Sequence, residues 1–107
     1  MIYTKIVGTG SYVPSKIMTN EDLKQFVDTS DEWIVSRTGI KERHIVTDED
    51  TTDLGYQASL KAIEDSGIDK SEIDLVIVAT VTPDNAFPGV SNLLQARLGL
   101  NEVMTFD

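Results

Sequence analysis

Asp74–Val81 reads DLVIVATV, a near-continuous apolar run rich in β-branched residues. A strand with one wet face alternates apolar and polar positions. A run without alternation belongs to a strand covered on both faces, as in a parallel sheet. Parallel strands need a crossover, usually a helix, and the flanks supply one on each side. Asp53–Ser66 reads as a helix with Thr52 as N-cap and Gly67 as its stop. Its polar stripe is narrow, Asp53, Gln57, Lys61 and Glu64, so the rest of its circumference predicts burial on more than one side. Gly55, Ala58, Ser59 and Ala62 are small enough to let a neighbour approach closely. After the run, TPDNAFPG reads as a loop, VSNLLQARLG as a helix stopped by Gly99, and EVMTFD as a strand. With Ile2–Val7 as a first strand, the order predicts an α/β fold: a parallel-type sheet, helices on both faces, right-handed crossovers.

The remaining totals narrow the function. At 107 residues the chain is one domain or a piece of one. Zero Cys excludes a disulfide framework and a thiolate metal site, and a single His excludes a multi-His site. A formal charge of -9 opposes general nucleic-acid binding. No apolar run approaches the ~20 residues of a membrane-spanning helix, and the N-terminus lacks the pattern of a signal peptide, so a cytoplasmic location is expected. In open α/β sheets chemistry gathers at the carboxyl ends of strands. This chain stops at such an end, which predicts a piece of a larger fold.

Five features carry candidate chemistry. Gly8-Thr9-Gly10 follows the first strand, but the third glycine of a dinucleotide loop falls on Val13, with Pro14 next. A glycine-bearing strand exit fits better. His44 has no spaced nucleophile and reads as a structural or surface residue. The acid run Thr47–Asp53 misses the spacing of a calcium loop and reads as a solvated loop ahead of a helix.

Trp33 and Arg37 are the fourth feature. TNEDLKQFVD reads as a short helix capped by Asn20, and Thr29 with Glu32 forms a capping box for a helix from Ser30 to about Arg37, stopped by Gly39. On that helix Trp33 and Arg37 stand at i and i+4, on one face. Two readings stay open: a platform for a flat heterocycle with a guanidinium beside it, or a core Trp with Arg lying over it. Lys41 and Arg43 would extend the platform toward phosphates. Phe87, in the loop after the apolar run, either lines a pocket or interface or anchors its loop.

The segments GTGSYVP, DTSDEWIVSRTGIKERHI, TPDNAFP and LQARLG occur in the order seen at the start of β-ketoacyl-acyl carrier protein synthase III, and the resemblance spans essentially all 107 residues. That family belongs to the thiolase superfamily. The resemblance implies the first part of a thiolase-like N-terminal α/β half. Residues 1–107 would be its N-terminal portion, incomplete without the rest of that half and the whole C-terminal half. It implies a decarboxylative condensation of acetyl- or acyl-coenzyme A with malonyl-acyl carrier protein, initiating fatty acid synthesis, in a dimer. No metal or redox cofactor is implied, coenzyme A entering as the substrate thioester. Trp33 matches the Trp that stacks on the coenzyme A adenine, and Thr29 and Arg37 match its hydrogen-bonding neighbours. The segment is then expected to be a locally basic lip. Phe87 matches an aromatic that reaches across the dimer into the partner's acyl pocket. The family's nucleophilic Cys and its His and Asn match nothing here, so the chain alone is expected to lack condensing activity. A non-catalytic coenzyme A- or subunit-binding fragment, or a related acyltransferase of the superfamily, are the alternatives. Such a fragment is also expected to aggregate through exposed apolar faces.

Overall fold

Helix N-termini decide where the elements of this chain begin, because the first four backbone N–H groups of a helix have no partner inside it. The computed structural model describes residues 1–107. They form two units, Val13–Asp48 and Met1–Tyr12 with Glu49–Asp107.

In the unit Val13–Asp48, strand β1 (Lys16–Thr19) pairs antiparallel with β2 (Glu42–Ile45), Lys16 opposite Ile45 and Thr19 opposite Glu42. Neither strand is legible in the sequence, since four residues carry too little alternation to stand out. Helices α1 (Asn20–Leu23) and α2 (Asp31–Thr38) lie between them in the chain. Both caps differ from expectation by one residue. Thr19 caps α1, its hydroxyl accepting from the Asp22 N–H at 3.2 Å while the Asp22 carboxylate accepts from the Thr19 N–H at 2.8 Å. Asn20, expected as the cap, is instead buried. Ser30 rather than Thr29 caps α2, accepting from the Trp33 N–H at 3.1 Å. Gly39 ends α2 at φ 73°, a left-handed conformation that costs glycine nothing. His44 holds Nδ1 2.6 Å from the Pro14 carbonyl oxygen, a structural contact.

In the other unit, α3 (Thr51–Ser66) starts one residue before the expected cap. Asp50 takes that role, with Asp53 closing a capping box. A 3-10 turn (Lys70–Glu72) leads to β3 (Leu75–Ile77), and α4 (Val90–Leu98) leads to β4 (Met104–Phe106). The two strands are parallel, Leu75 opposite Met104 and Ile77 opposite Phe106, as the crossover argument requires. The core is Val90, Leu94, Leu98 and Leu100, packed on by Tyr56, Leu60 and Ile63 of α3 and by Val76 and Val78. The two-sided burial expected of the apolar run is not met within this chain. Val76 faces the core, while Leu75, Ile77, Met104 and Phe106 are 44%, 69%, 61% and 53% exposed. Ile2–Val7, expected as a strand, forms no ladder and is exposed, because nothing in this chain pairs with it. No helix is long and apolar enough to cross a membrane.

The small residues of α3 do what their size permits. Gly8-Thr9-Gly10 lies directly on that helix. A Cβ at Gly8 would stand 2.6 Å from the Ala62 carbonyl oxygen, and one at Gly10 would collide with the Ala58 carbonyl and the Ala62 nitrogen. The Thr9 N–H donates to Asp65 and the Lys61 ammonium to the Ser11 carbonyl, each at 3.0 Å. The glycines therefore serve close packing, and no helix opens after them. Gly55 faces Leu94, where an added Cβ would meet only that side chain, its nearer methyl at 3.3 Å. Gly10→Ala, pressed against backbone, is expected to destabilise by about 1–3 kcal/mol. Gly55→Ala is expected to fall within about 1 kcal/mol of neutral, since a helix-interior glycine itself costs about that much relative to alanine. Urea unfolding compares the two, and equal losses would contradict the packing.

Candidate functional site

Helix α2 presents its aromatic face outward. One turn holds Ile34 inward at 9% exposure while Trp33, next in the chain, is 54% exposed. Of the two sequence readings, a sealed core Trp is ruled out. The Arg37 guanidinium carbon lies 4.6 Å from the centroid of the Trp33 ring, well inside the ~6 Å reach of a cation–π contact. The i,i+4 spacing alone produces this pairing. A cleft of about 310 Å³ opens beside the indole, lined by Asp28, Thr29, Ser30 and Trp33. That is the small end of the ~300–1,000 Å³ range of ligand pockets. It has room for one flat ring system. Thr29, relieved of capping by Ser30, lines this cleft.

The charge around the lip differs from expectation. Residues 28–45 hold three cations, Arg37, Lys41 and Arg43, and four carboxylates, Asp28, Asp31, Glu32 and Glu42, which sums to -1. Arg43 also turns inward. Its Nη2 donates to the Asn20 side-chain oxygen at 2.8 Å and its Nη1 to the Met18 carbonyl at 3.4 Å. Arg37 and the exposed Lys41 are the cations left at the surface. Asp28 on the cleft lining opposes a phosphate there, so the cleft suits an uncharged ring better than an anionic group.

Phe87 stands in the loop between β3 and α4 and is 87% exposed, which excludes loop anchoring by its own ring. The loop is held from another point, one that no sequence pattern announces. The Asp84 carboxylate accepts from the Thr51 N–H at 2.7 Å and the Thr52 N–H at 2.8 Å, and from the Thr52 hydroxyl. The Thr51 hydroxyl donates back to the Thr82 carbonyl at 2.8 Å. With the Asp50 carboxylate taking the Asp53 N–H and the Asp53 carboxylate taking the Asp50 N–H, all four free donors of α3 are satisfied. Partial burial pushes the Asp84 carboxyl up, but the hydrogen bonds from Thr52 and Thr51 outweigh it and hold the carboxyl below its ordinary 3.8.

No protein-family model matches the chain. It is 62% identical over 99 residues to the β-ketoacyl-[acyl-carrier-protein] synthase III of Xanthomonas euvesicatoria, covering 92% of this chain and 30% of that protein. Its structure superposes on crystalline 3-oxoacyl-[acyl-carrier-protein] synthase III from Aquifex aeolicus with a TM-score of 0.94 at 48% identity, over 98% of this chain and 34% of that one. The priming β-ketosynthase of the R1128 polyketide pathway gives a TM-score of 0.91 at 38% identity, over 96% of this chain and 31% of that one. The chain thus spans about a third of the length of these relatives. The thiolase-like α/β fold expected from the sequence is the fold it has.

Because Asp84 caps α3 and tethers the Phe87 loop together, Asp84→Ala is expected to cost about 0.5–2 kcal/mol at neutral pH, the range for a lost helix cap. A carboxyl held below 3.8 in the folded chain stabilises it fully above that value. The contribution is lost as pH falls through the lower, folded value. The gap between wild type and Asp84→Ala should therefore close in acid, read by urea unfolding at neutral pH and well below 3.8. A gap that persists undiminished in acid counts against the tether.

Proposed function

We propose that this chain, which belongs to the β-ketoacyl-[acyl-carrier-protein] synthase III family over the third of those proteins that it spans, forms the coenzyme A-binding lip of a condensing enzyme that primes fatty acid synthesis. The observation that carries the reading is the exposed indole of Trp33 with the Arg37 guanidinium beside it, above a cleft sized for one base. The adenine would stack on the indole, with Thr29 and Arg37 hydrogen-bonding the nucleotide. The phosphates would lie away from Asp28, toward the surface cations. Positioning of this kind holds the thioester end in reach of the nucleophile without adding a chemical group.

The chemistry itself belongs to other residues. The reaction moves an acyl group from coenzyme A to a thiolate, then condenses it with the carbanion left when malonyl-acyl carrier protein loses carbon dioxide. The 107 residues hold no Cys, so the nucleophile lies outside them and the chain alone turns nothing over. No resident cofactor is needed, because the thioester is consumed as substrate. Phe87, on its tethered loop, would reach the partner subunit's acyl pocket in a cytoplasmic homodimer. The likeness to a polyketide priming synthase supports a second reading, in which the same lip serves a related condensing enzyme with another acyl group.

The lip offers one stacking face, worth about 1–3 kcal/mol. Coenzyme A should therefore bind the isolated chain more weakly than about 1 mM. The Trp33 indole N–H resonance is expected to move on adding coenzyme A or an adenine nucleotide, and not on adding pantetheine, which lacks the base. Arg37→Ala should weaken the effect roughly two- to fivefold, the worth of an exposed cation–π contact. Equal shifts with pantetheine, or none with any nucleotide, would reject the reading.

A further inference from the structure

Asn20 is 1% exposed, and its side chain is the most densely hydrogen-bonded polar group in its unit. Its Nδ2 donates to the Asp31 carboxylate at 2.8 Å and to the Ile40 carbonyl at 2.8 Å. Its Oδ1 accepts from Arg43 at 2.8 Å, and its backbone N–H donates to the Lys41 carbonyl at 3.2 Å. Asp31 is the first residue of α2, and Ile40 is the first residue past Gly39, which ends that helix. One primary amide therefore grips both ends of the helix that carries Trp33 and Arg37. Arg43 in turn fixes the amide, tying it to β2 and, through the Met18 carbonyl, to β1.

We propose that Asn20 is a positioning residue for the α2 lip, setting the Trp33–Arg37 platform in place before any ligand arrives. This rests on the coenzyme A reading for its purpose, but not for its geometry. Only an amide fits the position. It must donate twice, to a carboxylate and a carbonyl, and accept once, from a guanidinium, and Asn alone has that inventory at this size. The isosteric Asp accepts from Arg43 but has nothing to donate, and it would set two carboxylates face to face. α2 needs such a grip because a helix of 8 residues is too short to hold itself, and Ile34 is its sole buried apolar anchor. The reach of the inference is binding rather than chemistry: Asn20 touches no ligand.

Trp33 is the chain's single tryptophan, so its emission reports this lip alone. The full chain is compared with Asn20→Asp, with the exposed-site variant Asp31→Ala, and with Leu94→Ala in the other unit as a control for general destabilisation. All are read on the folded side of their melting curves. In Asn20→Asp the acrylamide quenching constant of Trp33 should rise, up to about twofold, since the indole is already 54% exposed. Asp31→Ala should give a smaller rise, and it serves alone if Asn20→Asp does not fold. Leu94→Ala should lower the melting temperature without a rise. Adding Asp31→Asn to Asn20→Asp restores one donor between the two side chains and should recover part of the wild-type value. Unchanged quenching in Asn20→Asp, or in Asp31→Ala where it stands alone, overturns the proposal, as does a rise of equal size in Leu94→Ala. Coenzyme A titration followed at the indole N–H separates the two claims. Nucleotide binding with unchanged quenching keeps the lip and rejects Asn20's role; raised quenching without nucleotide binding keeps Asn20's role and rejects the ligand.

Discussion

Aspartate carboxylates meeting the free N–H groups of helix N-termini set the structure of this chain. The carboxyls held below their ordinary values are Asp22, Asp53, Asp69, Asp84 and Asp107. Each stands at the start of a helix or turn. Asp22 closes the box of α1, Asp53 that of α3, and Asp69 caps the 3-10 turn. Asp84 and Asp107 do the same work from a distance, the second accepting from the Ser91 N–H at 2.7 Å where α4 has no side-chain cap of its own. The helix dipole favours a negative charge at that end, and the N–H groups give it hydrogen bonds. Part of the acidity of the chain is therefore structural, and the net charge says little about a ligand.

Packing adds a second constraint, close approach. Glycine at 8 and 10 lets the N-terminal segment lie against the α3 backbone, and glycine at 55 leaves room for Leu94. Larger residues at 8 and 10 would hold that segment off the helix by the width of a side chain, and the apolar contacts behind it would loosen. The outer face of the β3–β4 pair, with Leu75, Ile77, Met104 and Phe106, has no such partner in this chain. An apolar strand face in water is a surface that invites association.

At the lip, local and distant interactions divide the labour. The stacking of Arg37 on Trp33 follows from helical spacing and would form wherever α2 formed. The orientation of α2 does not follow from spacing. It comes from a buried amide contributed by α1, held by a guanidinium from β2. Buried polar networks of this type are satisfied completely or are costly, and no buried side-chain nitrogen or oxygen in this chain lacks a partner.

The sequence by itself determined the α/β class, helices over 53–66 and 90–98, their glycine stops, and the pairing of Trp33 with Arg37. Each depends on neighbours within a few residues, where apolar period, capping chemistry and helical spacing act. It misplaced the caps at 20, 29 and 52, missed β1 and β2, overstated the positive charge of the lip, and expected a strand at Ile2–Val7. The tertiary structure decided those, along with the roles of Asn20, Arg43, Asp84 and Asp107. For the strands and for Asn20, Arg43, Asp84 and Asp107 the physical reason is common: each depends on a hydrogen-bond partner many residues away, and a strand or a buried polar side chain has no preferred state until that partner is in place.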